Sequence, residues 1–166
     1  TVAQVACNFT TNRMLTDYVN QYYAPQSVRA ASLEADDYKV AREIAAWKKQ
    51  VRKEWPDIEV ISYTQPDSSY SLSQTNVLKA EVVLNIGELK PEDIGVEMLF
   101  AVTDNKGKLH IQDKCDFDVV EAKDGVVKYQ TSILPERTGM YQVATRIYPK
   151  NPLLPHRQDF GLVRWL

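Results

Sequence analysis

The hydrophobic pattern of the chain changes period near residue 57, and this change constrains the fold more than any other feature. Before it, apolar residues recur every three or four positions, which is typical of amphipathic helices. After it, apolar and polar residues alternate, which is typical of strands with one buried face. The pattern therefore predicts an α+β chain with two domains, a helical segment at 1–56 and a β-sandwich at 57–166.

The overall composition is that of an ordinary globular protein, and it argues against two classes of partner. The formal net charge is −2 for 166 residues, so the chain has no overall attraction for nucleic acid. No apolar run approaches the roughly 18 residues that suggest a membrane-spanning helix. Cys7 and Cys115 do not form a disulfide framework, and we expect both to be reduced thiols in a cytoplasmic protein.

The first predicted helix begins at Thr10 or Thr11, whose hydroxyl can accept a hydrogen bond from a free amide of the first turn. An apolar-aromatic face follows at steps of four residues: Met14, Tyr18 and Tyr22. Pro25 is predicted to end this helix, and residues 25–32 are predicted to form an irregular connector.

The second predicted helix begins at Ser32 and ends at Pro56. Its apolar positions follow helical steps: Val40, Ile44, Trp47, Val51 and Trp55. Acidic residues lie in its early turns and basic residues in its late turns, which suits the helix dipole. We expect this apolar stripe to dock the helix onto the sandwich.

Arg13 is unusual because the first turn of a helix favours anions over cations. One interpretation is a local ion pair with Asp17, four residues later, which contributes only about 0.2–0.5 kcal/mol. The other is a salt bridge to a part of the protein that this chain lacks, or an anion held near the helix start. The residues alone leave both interpretations open.

From residue 57 onward, turn signals separate about seven predicted strands. They lie within these segments: 57–63, 78–86, 94–102, 109–119, 127–133, 141–147 and 160–166. Within 109–119, Phe117 and Val119 either continue the strand that opens at Leu109 or follow it. Asp124-Gly125 is a hairpin signal, whereas the polar stretch 65–75 is predicted to be a loop. Because each strand has one apolar face, two sheets must cover each other. An antiparallel immunoglobulin-like β-sandwich is the natural solution.

The sequence contains no arrangement typical of a catalytic or metal site. His110 and His156 lack metal-ligand spacing to Cys or Asp, and the six glycines lie at strand turns rather than in a phosphate-binding loop. The basic run KKQVRKE at 48–54 is explained by a solvated face near a helix C-terminus. We therefore predict no catalytic, cofactor-binding or metal-binding residue in this chain.

Four aromatic side chains are candidates for carbohydrate contact, because such rings can stack on sugars if the sandwich brings them to one surface: Tyr63, Tyr70, Tyr148 and Trp165. The competing interpretation is that strand aromatics fill the core or pair across strands.

The residues FTTNRMLTDYVNQYY at 9–23 resemble the last conserved helix of the α-glucan (glycogen) phosphorylases, which reads Phe-Ser-Ser-Asp-Arg with a tyrosine five residues after the arginine. Thr10 and Thr11 keep the hydroxyl cap of that motif, whereas Asn12 loses a charge. Further segments are similar to the prokaryotic branch, which carries a β-rich C-terminal extension: AAWKKQVRKEWPDI, LKPEDIGVEM, TGMYQVATRIYPKNPLLP and GLVRWL. They occur in the same order over nearly the whole chain.

This resemblance implies that the chain is the non-catalytic C-terminal part of an enzyme that transfers glucosyl units from an α-1,4-glucan to phosphate. The family's pyridoxal phosphate is held by a lysine upstream of the matching segments, so the resemblance implies no cofactor in this chain. It implies a structural brace for a missing catalytic body, with an interface at Arg13, Met14, Tyr18 and Tyr22. The alternatives are a carbohydrate-binding module for α-glucan and an oligomerisation module that forms a homodimer.

Overall fold

The computed structural model describes residues 10–65, 69–72, 77–134 and 139–166, and gives only the backbone of 69–72. Cys7 lies outside the described residues. The chain divides into two compact units, Thr1–Trp47 and Lys48–Leu166. Among the described residues, no helix is both long and apolar enough to cross a membrane.

The helical part of the chain consists of α1 (Thr11–Tyr18), a π-helical turn (Val19–Tyr23) and α2 (Ala24–Glu54). The predicted cap is confirmed at Thr10, whose hydroxyl accepts a hydrogen bond from the Arg13 amide at 3.2 Å. The prediction that Pro25 ends the first helix is wrong. The backbone stays helical on both sides of the π-helical turn, at Tyr18 and at Ala24, so Pro25 removes one N–H from a continuing helix. The π-helical turn just before it shifts the hydrogen-bond register at this point.

The helix is interrupted later than predicted, at residues 35–38 within α2. Asp36, Asp37 and Tyr38 have φ angles of 52°, 54° and 60°, in the left-handed region that residues other than glycine rarely adopt. Residues 25–32 are therefore helical and do not form the predicted connector between two helices. Aspartate tolerates the left-handed region better than most residues, which helps to explain why the break falls here.

The second unit contains two antiparallel sheets built from nine described strands. In chain order the strands are β1 (Glu59–Thr64), β2 (Ser69–Leu72), β3 (Leu78–Asn85), β4 (Ile94–Thr103), β5 (Leu109–Asp116), β6 (Asp118–Lys123), β7 (Val126–Ile133), β8 (Gly139–Pro149) and β9 (Arg164–Trp165). The first sheet has the order β1-β3-β7-β6. The second has the order β2-β8-β4-β5, with β9 also paired to β8.

Two of these strands depart from the sequence prediction. Residues 69–72 form β2 inside the predicted loop, with Tyr70 paired to Tyr141 of β8. In the segment 109–119, where the sequence left open whether Phe117 and Val119 continue the strand or follow it, the chain turns a corner at Phe117, so that β5 and β6 belong to different sheets. The periodicity does not mark this corner because the alternation of residue types continues across it.

The core lies along the alternating positions of β3, β7 and β8 and along β4, in which residues 94–100 are all buried. Its fully buried members include Val82, Leu84, Met98 and Ile147, and each such side chain contributes about 1.5–3 kcal/mol when it leaves water. The predicted hairpin is confirmed at Asp124-Gly125, where both residues have positive φ (51° and 80°) between β6 and β7. The two-residue turn with positive φ at both positions matches the right-handed twist of the strands.

Candidate functional site

The outer side of β4 and β8 carries five charged and aromatic residues, which we call the Glu97 cluster: Glu97, Arg146, Tyr148, Arg157 and Trp165. Strand pairing sets their positions, because Glu97 pairs with Arg146, and Arg146 in turn pairs with Trp165. The alternate residues Met98 and Ile147 point to the core and are fully buried. The strand period therefore places the cluster on the face opposite to the core.

Glu97 lies at the centre of the cluster and is only 1% exposed. Arg146 donates from Nε and Nη2 to Oε1, each at 2.5 Å, and Arg157 donates from Nη1 to Oε2 at 2.6 Å. Burial acts to raise the pKa of Glu97, but the hydrogen bonds from Arg157 and Arg146 outweigh it and hold the pKa below its usual value. A carboxylate without such partners would be costly to bury.

Both aromatic rings of the cluster have an arginine beside them. The guanidinium carbon of Arg157 lies 5.2 Å from the ring centroid of Tyr148, and that of Arg146 lies 5.3 Å from the ring centroid of Trp165. These distances are within the range of cation–π attraction. Part of each ring surface is therefore already in contact with an arginine of the same chain.

Gly95 makes room for the ring of Tyr148, its partner across the strands. A Cβ atom at Gly95 would lie 2.4 Å from Cζ of Tyr148, which is closer than atoms can approach. The Tyr148 hydroxyl also donates to Oδ1 of Asp116 at a long 3.5 Å. The absence of a side chain at position 95 thus fixes where Tyr148 lies on the sheet.

The structure brings together two of the four predicted carbohydrate-contact residues, Tyr148 and Trp165. Tyr63 pairs with the core residue Val82 in the other sheet; its hydroxyl bonds Gln65, and burial raises its pKa. Tyr70 pairs with Tyr141, at the end of β8 far from Tyr148, and its side chain lies outside the described residues. Contact with carbohydrate stays a prediction for all four.

The segment between β8 and β9 contains Arg157 and positions it to bind Glu97. Arg157–Asp159 form a single 3₁₀ turn, and Nδ1 of His156 caps it by accepting from the amide of Gln158 at 3.1 Å. Phe160 follows the turn and is buried (4% exposed). Within residues 157–160, the chain therefore places the Arg157 guanidinium against the outer face of the sheet and the Phe160 ring in the interior.

Phe160 anchors the C-terminal end of α2. The Lys48 ammonium lies 5.7 Å, and the Arg52 guanidinium carbon 5.3 Å, from its ring centroid, and Lys48 also donates to the carbonyl of Asp159 at 3.3 Å. Val51, a member of the predicted apolar stripe, is completely buried. Lys48 is half-buried by this contact, whereas Lys49, Arg52 and Lys53 are exposed, in agreement with the predicted solvated face.

The predicted interface on α1 and the π-helical turn presents an apolar surface to solvent. Met14, Tyr18 and Tyr22 are 45%, 46% and 57% exposed, and the two tyrosine rings lie 6.1 Å apart between centroids. Nη1 of Arg13 lies 3.4 Å from Oδ2 of Asp17, so the local ion pair is present. Large exposed apolar patches often mark interaction sites.

The described residues offer little support for a metal site or a cofactor site. Nε2 of His110 lies 2.8 Å from Oδ2 of Asp104 in an exposed turn, and no cluster of three metal-ligating side chains occurs among the described residues. Every lysine in the described residues is exposed or half-exposed, whereas a Schiff-base lysine that reacts readily is desolvated. We assign none of the described residues to pyridoxal phosphate, and the absence of this cofactor from the chain stays a prediction.

Cys115 is a free thiol at the boundary between the sheets. Its Sγ lies 2.9 Å from Oγ1 of Thr131, and burial raises the pKa of the thiol. A raised pKa makes a thiol a weaker nucleophile at neutral pH, so this residue has the character of a packing thiol.

Sequence comparisons identify the relatives of the chain. A family model described as the glycogen phosphorylase C-terminal domain matches residues 55–166. Maltodextrin phosphorylase of Thermococcus litoralis is 26% identical over 168 residues, which cover 99% of this chain and 19% of that protein. Glycogen phosphorylases of Mycobacterium bovis and Mycobacterium tuberculosis are 26% identical over 160 residues, which cover 92% of this chain and 18% of theirs. No solved structure matches. The chain thus spans about a fifth of the length of these curated relatives.

Proposed function

Because the chain belongs to the family of glycogen phosphorylase C-terminal domains, we propose that it is a non-catalytic part of an α-glucan phosphorylase and braces the catalytic body. The parent enzyme transfers a glucosyl unit from an α-1,4-glucan to phosphate and yields glucose 1-phosphate. The names of the matched relatives support this activity. The catalytic residues and pyridoxal phosphate belong to parts of the cytoplasmic parent outside this chain.

We also propose that the two sheets form an immunoglobulin-like sandwich. The order β1-β3-β7-β6 corresponds to strands A-B-E-D of that fold, and β9-β8-β4-β5 corresponds to G-F-C-C′. Two polar contacts that link the sheets support this arrangement: Cys115 with Thr131 at 2.9 Å, and Thr145 with Gln65, just after β1, at 3.3 Å.

The observation that carries the brace is the anchoring of α2 on Phe160 by Lys48 and Arg52. It fixes residues 48–54, the last turns of α2, to the segment that follows β8. The chain before α2 contains α1 and the π-helical turn, which carry the apolar face of Met14, Tyr18 and Tyr22. Because four-fifths of each relative lies outside the matched region, the catalytic body is the natural occupant of this face, and Arg13 lies beside it.

Hydrogen exchange tests this function. In the full-length parent, amides of 11–23 should exchange more slowly than in the isolated chain, because the catalytic body covers α1. Amides of β6, all of whose side chains are exposed, serve as the internal control. Equal exchange at 11–23 in both proteins would contradict the brace.

A carbohydrate-binding module is the second candidate, and one observation favours it. Tyr148 and Trp165 share an outer sheet face, and Trp165 is 53% exposed. Electrophoresis of the chain in gels with and without glycogen tests this candidate: retardation that disappears in Trp165→Ala supports it, and unchanged mobility excludes it.

A further inference from the structure

A cavity of about 330 Å³ lies beside the Glu97 cluster, between β5, the end of β8 and the segment that follows it. Its walls include Lys114, Lys150, Asn151, His156 and Arg157. This volume is at the lower end of the range for small-molecule sites. The chemistry of the wall indicates what such a molecule would carry.

Three cations converge on this cavity, and two of them have no carboxylate partner. Among the described residues, neither Lys114 nor Lys150 has a carboxylate within ion-pair distance. Arg157 uses Nη1 to bind Glu97 and has further N–H groups, since a guanidinium carries five. The cavity therefore has cationic donors available for an anion.

Two neutral side chains add further donors to the wall. Nδ1 of His156 accepts from the Gln158 amide at 3.1 Å, so in the neutral ring the proton is on Nε2. Oδ1 of Asn151 accepts from the Leu153 amide at 2.9 Å, which leaves its NH₂ group as a donor. Both side chains thus have their acceptor occupied and a donor remaining.

The two carboxylates in the wall differ in their pairing. Glu97 already receives hydrogen bonds from both arginines, whereas Asp116 accepts a single long contact of 3.5 Å from the hydroxyl of Tyr148. With three cations and two carboxylates, the lining carries a net charge of +1. A site with spare cationic donors and a positive net charge favours an anion rich in acceptor atoms.

We propose that this cavity binds a phosphate-bearing small molecule through Lys114, Lys150 and Arg157. A phosphate monoester presents about two negative charges near neutral pH and three acceptor oxygens, which suits this donor set better than the two oxygens of a carboxylate. The cavity also has room for more than a bare phosphate ion, so a phosphorylated sugar fits the same chemistry.

The test is an NMR titration of the ¹⁵N-labelled chain with inorganic phosphate, with glucose 6-phosphate and with glucose as the uncharged control. We expect saturable shifts at the amides of Lys150, Asn151 and His156 with either phosphate compound, and none with glucose. Tighter binding of glucose 6-phosphate identifies a phosphate ester as the ligand, whereas equal binding identifies the phosphate group alone. No saturable shift, or equal shifts at lysines all over the surface, would overturn the proposal.

Matched variants localise the binding. Lys114→Gln combined with Lys150→Gln should weaken binding by about a hundredfold or more, because two charge-assisted hydrogen bonds to the phosphate are lost together. The pair Lys106→Gln and Lys108→Gln, in the exposed turn before β5, should leave binding unchanged. Asp116→Asn should tighten binding several-fold because it removes a like charge from the wall. Equal affinity in both double variants, with unchanged melting temperatures, would contradict the site.

Discussion

Nη1 of Arg157 lies 2.6 Å from Oε2 of Glu97, although 60 residues separate the two along the chain. The bond joins the segment after β8 to the middle of β4. Phe160 follows Arg157 by three residues and contacts Lys48 and Arg52 at the end of α2. The same bond therefore helps to hold the end of the helix that we propose as part of the brace.

Replacing Glu97 with Gln should lower the free energy of unfolding by about 2–3 kcal/mol. This is below the roughly 3–5 kcal/mol for breaking a fully enclosed pair, because Arg146 and Arg157 are partly solvated. Urea unfolding measures the change. Glu81→Gln, which breaks a pair with Lys128 on the other sheet, is the matched control. An equal loss in both variants would mean that the ion pairs of Glu97 contribute no more to the free energy of unfolding than the pair between Glu81 and Lys128.

The stabilisation from Glu97 should depend on pH in the acidic range. Its pKa is lowered in the folded chain, so the unfolded chain binds the proton first as the pH falls. The contribution is therefore complete above the unfolded pKa of about 4.3 and is lost as the pH drops through the folded pKa. The difference in unfolding free energy between the original chain and Glu97→Gln should be constant from about pH 8 to about pH 5 and shrink below it. A difference that grows on acidification would contradict this assignment.

Gly95→Ala should destabilise the second sheet by about 1–3 kcal/mol, because the new methyl group overlaps the ring of Tyr148. Gly161→Ala is the matched control: no atom lies within 4 Å of a Cβ at that position. In a Tyr148→Ala background the penalty of Gly95→Ala should fall, with a coupling energy of at least about 0.5 kcal/mol. Additive effects in the double variant would show that Tyr148 is not the obstacle.

Phe160→Leu should loosen the end of α2 while leaving the core of the sheets intact. Leucine keeps an apolar side chain in the buried position but lacks the ring that attracts Lys48 and Arg52. Hydrogen exchange should become faster for residues 48–54 and remain unchanged in β4. The control is Val163→Ala, at an exposed position in the same segment. Unaltered exchange at 48–54 in Phe160→Leu would refute the anchor.

The sequence alone predicted the features that depend on neighbouring residues. The change from helix to strand near residue 57, the cap at Thr10 and the hairpin at Asp124-Gly125 all follow from local spacing and residue type. Local signals did not predict that the helix continues through Pro25, because a π-helical turn accommodates the proline through a change of backbone register. Alternation likewise could not reveal the corner at Phe117.

The Glu97 cluster could not be predicted because strand pairing assembles it. Glu97, Arg146 and Arg157 come from β4, β8 and a later turn, and each occupies an ordinary polar position in its own segment. Their aromatic side chains placed Tyr148 and Trp165 among the candidates, but the sequence gave no sign that an arginine lies beside each ring. Long-range pairing, rather than local preference, decides the chemistry of this surface.

The most direct test of the proposed brace is the melting temperature of Tyr18→Ser combined with Tyr22→Ser, measured both in the isolated chain and in the full-length parent. Both rings are about half exposed in this chain, so the isolated protein should melt at nearly the same temperature with or without them. In the parent the same pair should lower the melting temperature by several degrees, because apolar surface buried against the catalytic body is lost. An equal change in both proteins would contradict the brace.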